Sequence, residues 1–379
     1  MRVFYSPGTL IWLSGFFFFF SLYITAPVIA AYAADLSRSV FFTGLAVGAY
    51  GAAMMLVRIP IGILASAHGR RKRLIQIGLF TIFVGLAAAF YGNQILLVVS
   101  RVLLGFGAGF WVLYTVLFAS YFPKEKVGEA MSLITLAYAL PQIFAALAGG
   151  LTAEYFGWLA PFAIGLISTI AAIVFISYVQ ESAVEEHRWS LAKTRQIISK
   201  KLFIVSLLAM VGFFVAFATV YGFTQNWAQD TLGATKQELG FILFAALIFY
   251  VLLLRFAARI ANRFGVRRTL LLGMIALGLA TSLIPLSKNI FELLVLQAFV
   301  GMGLGLIYPV TMAKSIEGIE EHLKDEAMGM YQSIYAAGIF LGPILGGIIA
   351  SYFGLSWIFF VMGALSLASI PMLLFCRRL

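Results

Sequence analysis

Residues 62–72 read GILASAHGRRK, and residues 258–268 read ARIANRFGVRR. Each is a short basic link around a glycine, joining long apolar runs: 40–64 to 74–92 in the first case, 238–258 to 270–287 in the second. Gly69 and Arg71-Lys72 lie 196 residues before Gly265 and Arg267-Arg268. One further residue of offset places Glu129-Ala130-Met131 on Glu326-Ala327-Met328, Gly149-Gly150 on Gly346-Gly347, and Tyr155-Phe156-Gly157 on Tyr352-Phe353-Gly354. Unusual features recurring at a fixed spacing mark an internal repeat. The two basic links therefore predict two related halves in one chain.

The composition says what the halves are dissolved in. Of 379 residues, 62% are hydrophobic and 11% charged, and the mean hydropathy is +1.01; a soluble protein is about 45–50% apolar and about 25% charged. A soluble enzyme, a nucleic-acid-binding domain and a disordered scaffold are excluded. Apolar runs fall at 9–32, 40–64, 74–92, 95–120, 128–152, 160–180, 202–227, 238–258, 270–287, 290–312, 327–351 and 357–376. A crossing needs about 20 apolar residues, so the expectation is an all-α membrane protein with twelve transmembrane helices in two parallel six-helix repeats. The first run ends in Ala33-Ala34-Asp35, similar to a signal-cleavage site, but it exceeds the roughly 7–15 residues of a signal core and reads as a retained helix.

The net charge of +11 sits in the junctions, with no basic face for a nucleic acid. Lys and Arg crowd every second junction, while the opposite set holds Arg38, Lys236 and Lys288. By the positive-inside rule the crowded junctions and both termini are cytoplasmic. The long polar stretch 184–201 reads as a cytoplasmic linker between bundles 1–183 and 202–379; its Trp189, Leu191, Ile197 and Ile198 suit either a short interfacial helix or a plain tether. The single cysteine, Cys376, forms no disulfide framework or paired-cysteine metal site. No cofactor is expected, and no nucleotide-binding Gly-x-x-x-x-Gly-Lys-Ser/Thr run is present.

At these residues the chain resembles the major facilitator superfamily over essentially its whole length. The family's loop between helices 2 and 3 has a glycine, an acid, a base, a second glycine and two distal bases. Here the positions are Gly62, Ser66, Ala67, Gly69, Arg71 and Lys72, and in the second half Ala258, Asn262, Arg263, Gly265, Arg267 and Arg268. The resemblance implies a cytoplasmic latch made by the acid. Ser66 and Asn262 replace it with weaker neutral acceptors, which predicts a lower barrier to opening inward. Arg101 followed by Gly105 and Gly107 is similar to the family's helix-4 pattern, with Gln297, Gly301 and Gly303 at the symmetric place. Gly338, Gly342, Pro343, Gly346 and Gly347 resemble its glycine-proline motif, which is linked with antiport on helix 5; there this chain has Pro141, Ala145 and Ala146 before Gly149-Gly150. Close helix packing and a hinge role both suit these glycines.

A charge inside hydrocarbon costs at least about 2.5–3.5 kcal/mol, so an embedded ionisable group is a functional hypothesis. Arg101 is the clearest; Arg58, Arg255 and Lys314 read as stems reaching toward the cytoplasmic interface. Arginine does not release a proton, and His68, His187 and His322 belong to cytoplasmic loops. Asp35, Glu154 and Glu292 are therefore the candidate proton carriers, although each also suits an ordinary solvated helix end. Arg101 is either a substrate anchor or a brace for helix 4 against backbone carbonyls. Tyr23, Pro27, Trp111, Tyr114, Tyr138, Gln142, Tyr221, Gln225, Gln297, Tyr308, Tyr331 and Tyr335 are candidate cavity walls.

The resemblance implies a secondary transporter working by alternating access in a plasma membrane, monomeric, with export of small amphipathic organic compounds driven by protons as the leading expectation. Transport of an organic anion held by Arg101 is the alternative. A non-transporting receptor or assembly subunit on the same scaffold is the third.

Overall fold

The computed structural model describes residues 6–68, 70–123, 127–180, 200–319 and 324–375, which form helices joined by short turns. The helices are α1 (Pro7–Tyr23), α2 (Ile29–Ser37), α3 (Val40–His68), α4 (Arg71–Ala88), α5 (Gln94–Ala108), α6 (Trp111–Ala119), α7 (Val127–Phe156), α8 (Ala160–Ser177), α9 (Lys200–Ala218), α10 (Thr224–Leu232), α11 (Lys236–Phe264), α12 (Val266–Leu283), α13 (Ile290–Ile316), α14 (Lys324–Phe353), α15 (Leu355–Ala368) and α16 (Met372–Phe375). In lipid the backbone must satisfy its own polar groups, which is why apolar runs of this length become helices. Ten stretches among the described residues are long and apolar enough to cross a membrane. α1 and α15 are apolar but shorter, at 17 and 14 residues. Gly69, the linker as far as 199, His187, His322 and Cys376 lie outside the described residues.

Four runs expected as single helices are interrupted. The first breaks across Ile24–Val28, where Pro27 has no N–H to continue the ladder. The fourth breaks at Gly109-Phe110, between α5 and α6. The seventh passes through a π-turn at Thr219–Phe223, with Gly222 at φ −121° and ψ −108°, and then runs five residues beyond its expected end to Leu232. The twelfth breaks between Ala368 and Met372, around Pro371.

Polar caps set several starts at one end of the bundle. Asn93 accepts from the amides of Ile95 and Leu96 to begin α5; Thr235 and Glu238 form a reciprocal capping box on α11; Asn289 caps α13 through the Glu292 amide. The other end carries the basic links. Gly157 (φ +85°) and Gly354 (φ +91°), 197 residues apart, turn the chain after α7 and α14, in a conformation that a side chain resists.

Helix contacts recur at the same spacing. A Cβ on Gly105 would sit 2.0 Å from the Tyr50 carbonyl oxygen, and one on Gly301 would sit 2.0 Å from that of Ala246. On Gly44 of α3 it would meet the Pro343 carbonyl at 2.3 Å, and on Gly240 of α11 the Ala146 carbonyl at 2.8 Å. Thus α3 packs on α14, and α7 on α11, at the end of the bundle away from the basic links. Gly150 meets Gly240, and Gly347 meets Val40 and Phe41, in the same zipped region. Gly342 approaches the Phe214 carbonyl and Gly346 the Phe223 ring.

Candidate functional site

Helices from both sides of the linker enclose a small cavity lined by Leu22, Tyr23, Ala26, Ile29, Tyr50, Arg101, Phe217 and Tyr221. Its volume, ≈ 20 Å³, is room for about one water. The walls are apolar and phenolic around one cation, and none of the lining side chains is acidic.

The local sequence sets where the cation goes. Gly105 brings α5 onto the α3 backbone at Tyr50; one turn earlier on both helices, Arg101 Nε donates to the Ala46 carbonyl at 3.2 Å. The guanidinium lies over the Tyr50 ring, 4.9 Å from its centroid, and Arg101 is only 6% exposed. A desolvated cation–π contact of this kind contributes about 2 kcal/mol. At the symmetric place on α13, Gln297 is fully buried and its amide nitrogen is 3.4 Å from Thr224 Oγ1.

An aromatic cluster continues from the cavity toward the basic end. Tyr221 stacks on Phe217 at 4.6 Å and lies 6.0 Å from Tyr23. Its hydroxyl reaches Gln142 Oε1 at 3.5 Å, and the Gln142 amide donates to the Tyr138 carbonyl. Tyr138 packs edge-on to Phe19. Across the bundle, Tyr335 stacks on Phe213 at 4.5 Å and meets Tyr308 and Tyr331 edge-on. Gln225 turns its amide back onto the Val220 carbonyl at 2.6 Å, within the helix break.

Some expected residues lie elsewhere. Tyr114 is fully buried among α1, α6 and α8, bonded to Ser14 Oγ at 2.8 Å, which itself donates to the Ala172 carbonyl; it packs the bundle and does not reach the cavity. Asp35, Glu154 and Glu292 are exposed near helix ends. Glu154 accepts from the Lys236 amide at 2.8 Å, and Glu292 accepts from the Lys288 amide and from Asn289 at the start of α13. None lines the cavity. Gly62 and Ser66 lie in the last two turns of α3, and Arg71 begins α4. Asn262, Arg263 and Arg267 are exposed around Gly265, which takes φ +88° between α11 and α12.

Arg58 corrects the sequence reading. In place of a stem stretched toward the interface, its Nη1 donates to Tyr335 Oη on α14 at 3.0 Å, and its carbon Cζ lies 5.4 Å from that ring's centroid. Tyr50 and Phe217 escaped sequence reasoning, and Arg58 was read there only as a stem directed at the interface. The depth of Arg58, ten residues before the end of α3, was the available signal.

Ten stretches among the described residues that are long and apolar enough to cross a membrane make this a multi-pass membrane protein. The sequence profile of the Major Facilitator Superfamily matches residues 11–228 and 216–379, and the chain belongs to that family. It is 24% identical over 361 residues to an uncharacterized MFS-type transporter of Methanocaldococcus jannaschii, spanning 91% of this chain and 92% of the relative. It is 25% identical over 357 residues to a multi-drug resistance efflux pump PmrA homolog of Lactococcus lactis, spanning 90% and 87%. The chromaffin granule amine transporter of Homo sapiens is 25% identical over 300 residues, spanning 76% of this chain and 56% of the relative. The crystal structure of the nucleoside transporter NupG superposes with a TM-score of 0.82 at 14% identity, over 98% of this chain and all of that one. The chain is thus a multi-pass membrane transporter and not an enzyme.

Proposed function

We propose that this protein exports small amphipathic organic molecules by alternating access between bundles 1–183 and 202–379, with 184–201 as the cytoplasmic linker. In this reading twelve helices cross the plasma membrane, α1 with α2 and α15 with α16 serving as the first and last. Both termini and the basic links face the cytoplasm, and the protein works as a monomer. The observation that carries the reading is the cavity itself: phenolic and aliphatic walls contributed from both bundles, beside one fixed cation. Such walls bind an apolar body and leave orientation to a few polar groups. With room for about one water, the cavity admits cargo only when the bundles part. The contacts of α3 with α14 and of α7 with α11 close the outer end, so the next opening is inward.

Protons are the driving force we assign, as the family resemblance implies, and Asp35, Glu154 and Glu292 are their proposed carriers. The alternative, an organic anion anchored by Arg101, draws on the place of that guanidinium in the cavity wall and on the lack of acids there. Proteoliposomes holding purified protein and an acidic lumen test the function. The expected result is concentrative uptake of an amphipathic fluorescent dye, abolished by a protonophore. Uptake no greater than in protein-free vesicles, across cationic, neutral and anionic dyes, overturns it.

A further inference from the structure

We propose that the cargo carries an anionic group and that Arg58 is the residue that receives it. The inference rests on the transport reading above and adds the charge of the cargo and a binding residue to it.

The charge inventory comes first. Every acid among the described residues falls in a turn or within about two turns of a helix end, whereas Arg58 and Arg101 stand in the helix interiors. A cation in a membrane interior is retained where it faces a partner, a cavity or a pathway. Arg101 has two partners, the Ala46 carbonyl and the Tyr50 ring. Arg58 is held by neutral groups only, and one of its donors is left over. Of its five N–H donors, one reaches the neutral Tyr335 hydroxyl and one reaches Met54 Sδ at 3.4 Å, a weak acceptor. Its Nε is buried with no hydrogen-bond partner among the described residues. The guanidinium therefore keeps one unused donor, Nε, and meets only a neutral phenol and a thioether with the others, so an oxyanion is a stronger acceptor than any it has.

The surroundings say what the rest of the cargo looks like. Tyr335 is boxed by Phe213, Tyr308 and Tyr331, an aromatic wall beside the cation. A carboxylate, sulfonate or phosphate ester on a flat apolar body fits both features; a protonated amine meets two guanidinium groups and no acid. Arg58 also ties α3 to α14 through Tyr335. An incoming oxyanion competes with the phenol for the same donors, so cargo binding loosens a contact between the two bundles. Arg101 is not the same site: the Tyr50 ring beneath it lies eight residues before Arg58 on α3, about 12 Å along the axis.

Two dyes with a common xanthene ring make the test, anionic carboxyfluorescein and cationic tetramethylrhodamine methyl ester. Binding to purified full-length protein is read by fluorescence polarisation and movement by proteoliposome uptake. The expected result is carboxyfluorescein bound and moved by the wild type at least about tenfold better than the cation. Arg58→Gln loses about tenfold or more in anion affinity, as for a charge-assisted hydrogen bond, and gains in cation movement. Arg58→Lys keeps the preference with weaker affinity, and Tyr335→Phe, which removes the competing hydroxyl, tightens anion binding. Movement of the cation alone overturns the anionic cargo and leaves the transport reading standing. Saturable anion binding that Arg58→Gln abolishes, without uptake, supports the site and overturns the transport reading. Equal loss of both dyes in Arg58→Gln makes the residue structural and overturns its assignment; neither dye bound nor moved by the wild type overturns both readings.

Discussion

Arg101 and Gly105 work as a pair one helical turn apart. The glycine lets α5 touch the backbone of α3 and the arginine uses that approach to reach a carbonyl. Replacing Arg101 with Gln removes the charge and the ring contact together; the expected loss is about 1–3 kcal/mol, read as a lower melting temperature in detergent along with lost transport. Lysine at 101 does not restore the planar contact. Tyr114 separates core from cavity. Tyr114→Phe removes one buried hydroxyl while Ser14 keeps the Ala172 carbonyl, so stability falls by about 1 kcal/mol and transport is unchanged. A large transport defect in that variant contradicts its placement in the bundle core. The sequence singled out Arg101 because a charge amid a long apolar run is conspicuous. It did not separate Tyr114 from Tyr138, because helices apolar on every side carry no polar stripe to say which face looks inward. Arg58 was misread for a related reason: the sequence does not show that Tyr335, on a distant helix, lies within reach of its stem.

At the scale of the helix, the breaks and the close approaches divide the labour. Pro27, Gly109 and Gly222 sit at the interruptions, yet hydropathy reads straight through them and gives continuous runs. The glycines of the zipped end are tested by bulk. Gly44→Leu drives a side chain into the Pro343 carbonyl; the expected outcome is a folded, monodisperse protein with at least about tenfold slower transport, because more than 1.4 kcal/mol of strain falls on one state of the cycle. Gly212 on α9 is the control: its added Cβ meets only Ile307 and Leu304 side chains at 3.6 and 3.7 Å. Gly212→Ala should be neutral or stabilising by about 0.5–1 kcal/mol through helix propensity, with unchanged transport.

Over the whole molecule the all-helical, membrane-spanning character was the most legible part of the sequence, since it follows from the lipid solvent. The features the sequence hid depend on side chains meeting across distant helices, as Arg58 does with Tyr335. One charge cluster tests the basic end. Glu317 accepts from Lys201 on α9 and Lys314 on α13, which holds its carboxyl below the usual carboxylate range. A depressed value means stabilisation that is present above the unfolded carboxylate's pKa of about 4.3 and lost as pH falls through the folded one. Thermal stability should therefore decline below about pH 4, and Glu317→Gln should remove that part of the decline. The glutamate is half exposed, so the effect is small.

The two interior guanidinium groups also make the protein an electrical device. Moving one elementary charge fully across the membrane potential is worth about 2.3 kcal/mol per 100 mV. When α3 parts from α14, Arg58 shifts within that field, and among the described residues no carboxylate in a helix interior cancels its displacement. The empty carrier should accordingly produce a transient current after a voltage step, even with nothing carried. Saturating anionic cargo neutralises the moving charge and should shrink that current. The same charge makes the unloaded return the voltage-sensitive half of the cycle, so that the membrane potential, independently of any ion gradient, sets how fast the transporter resets.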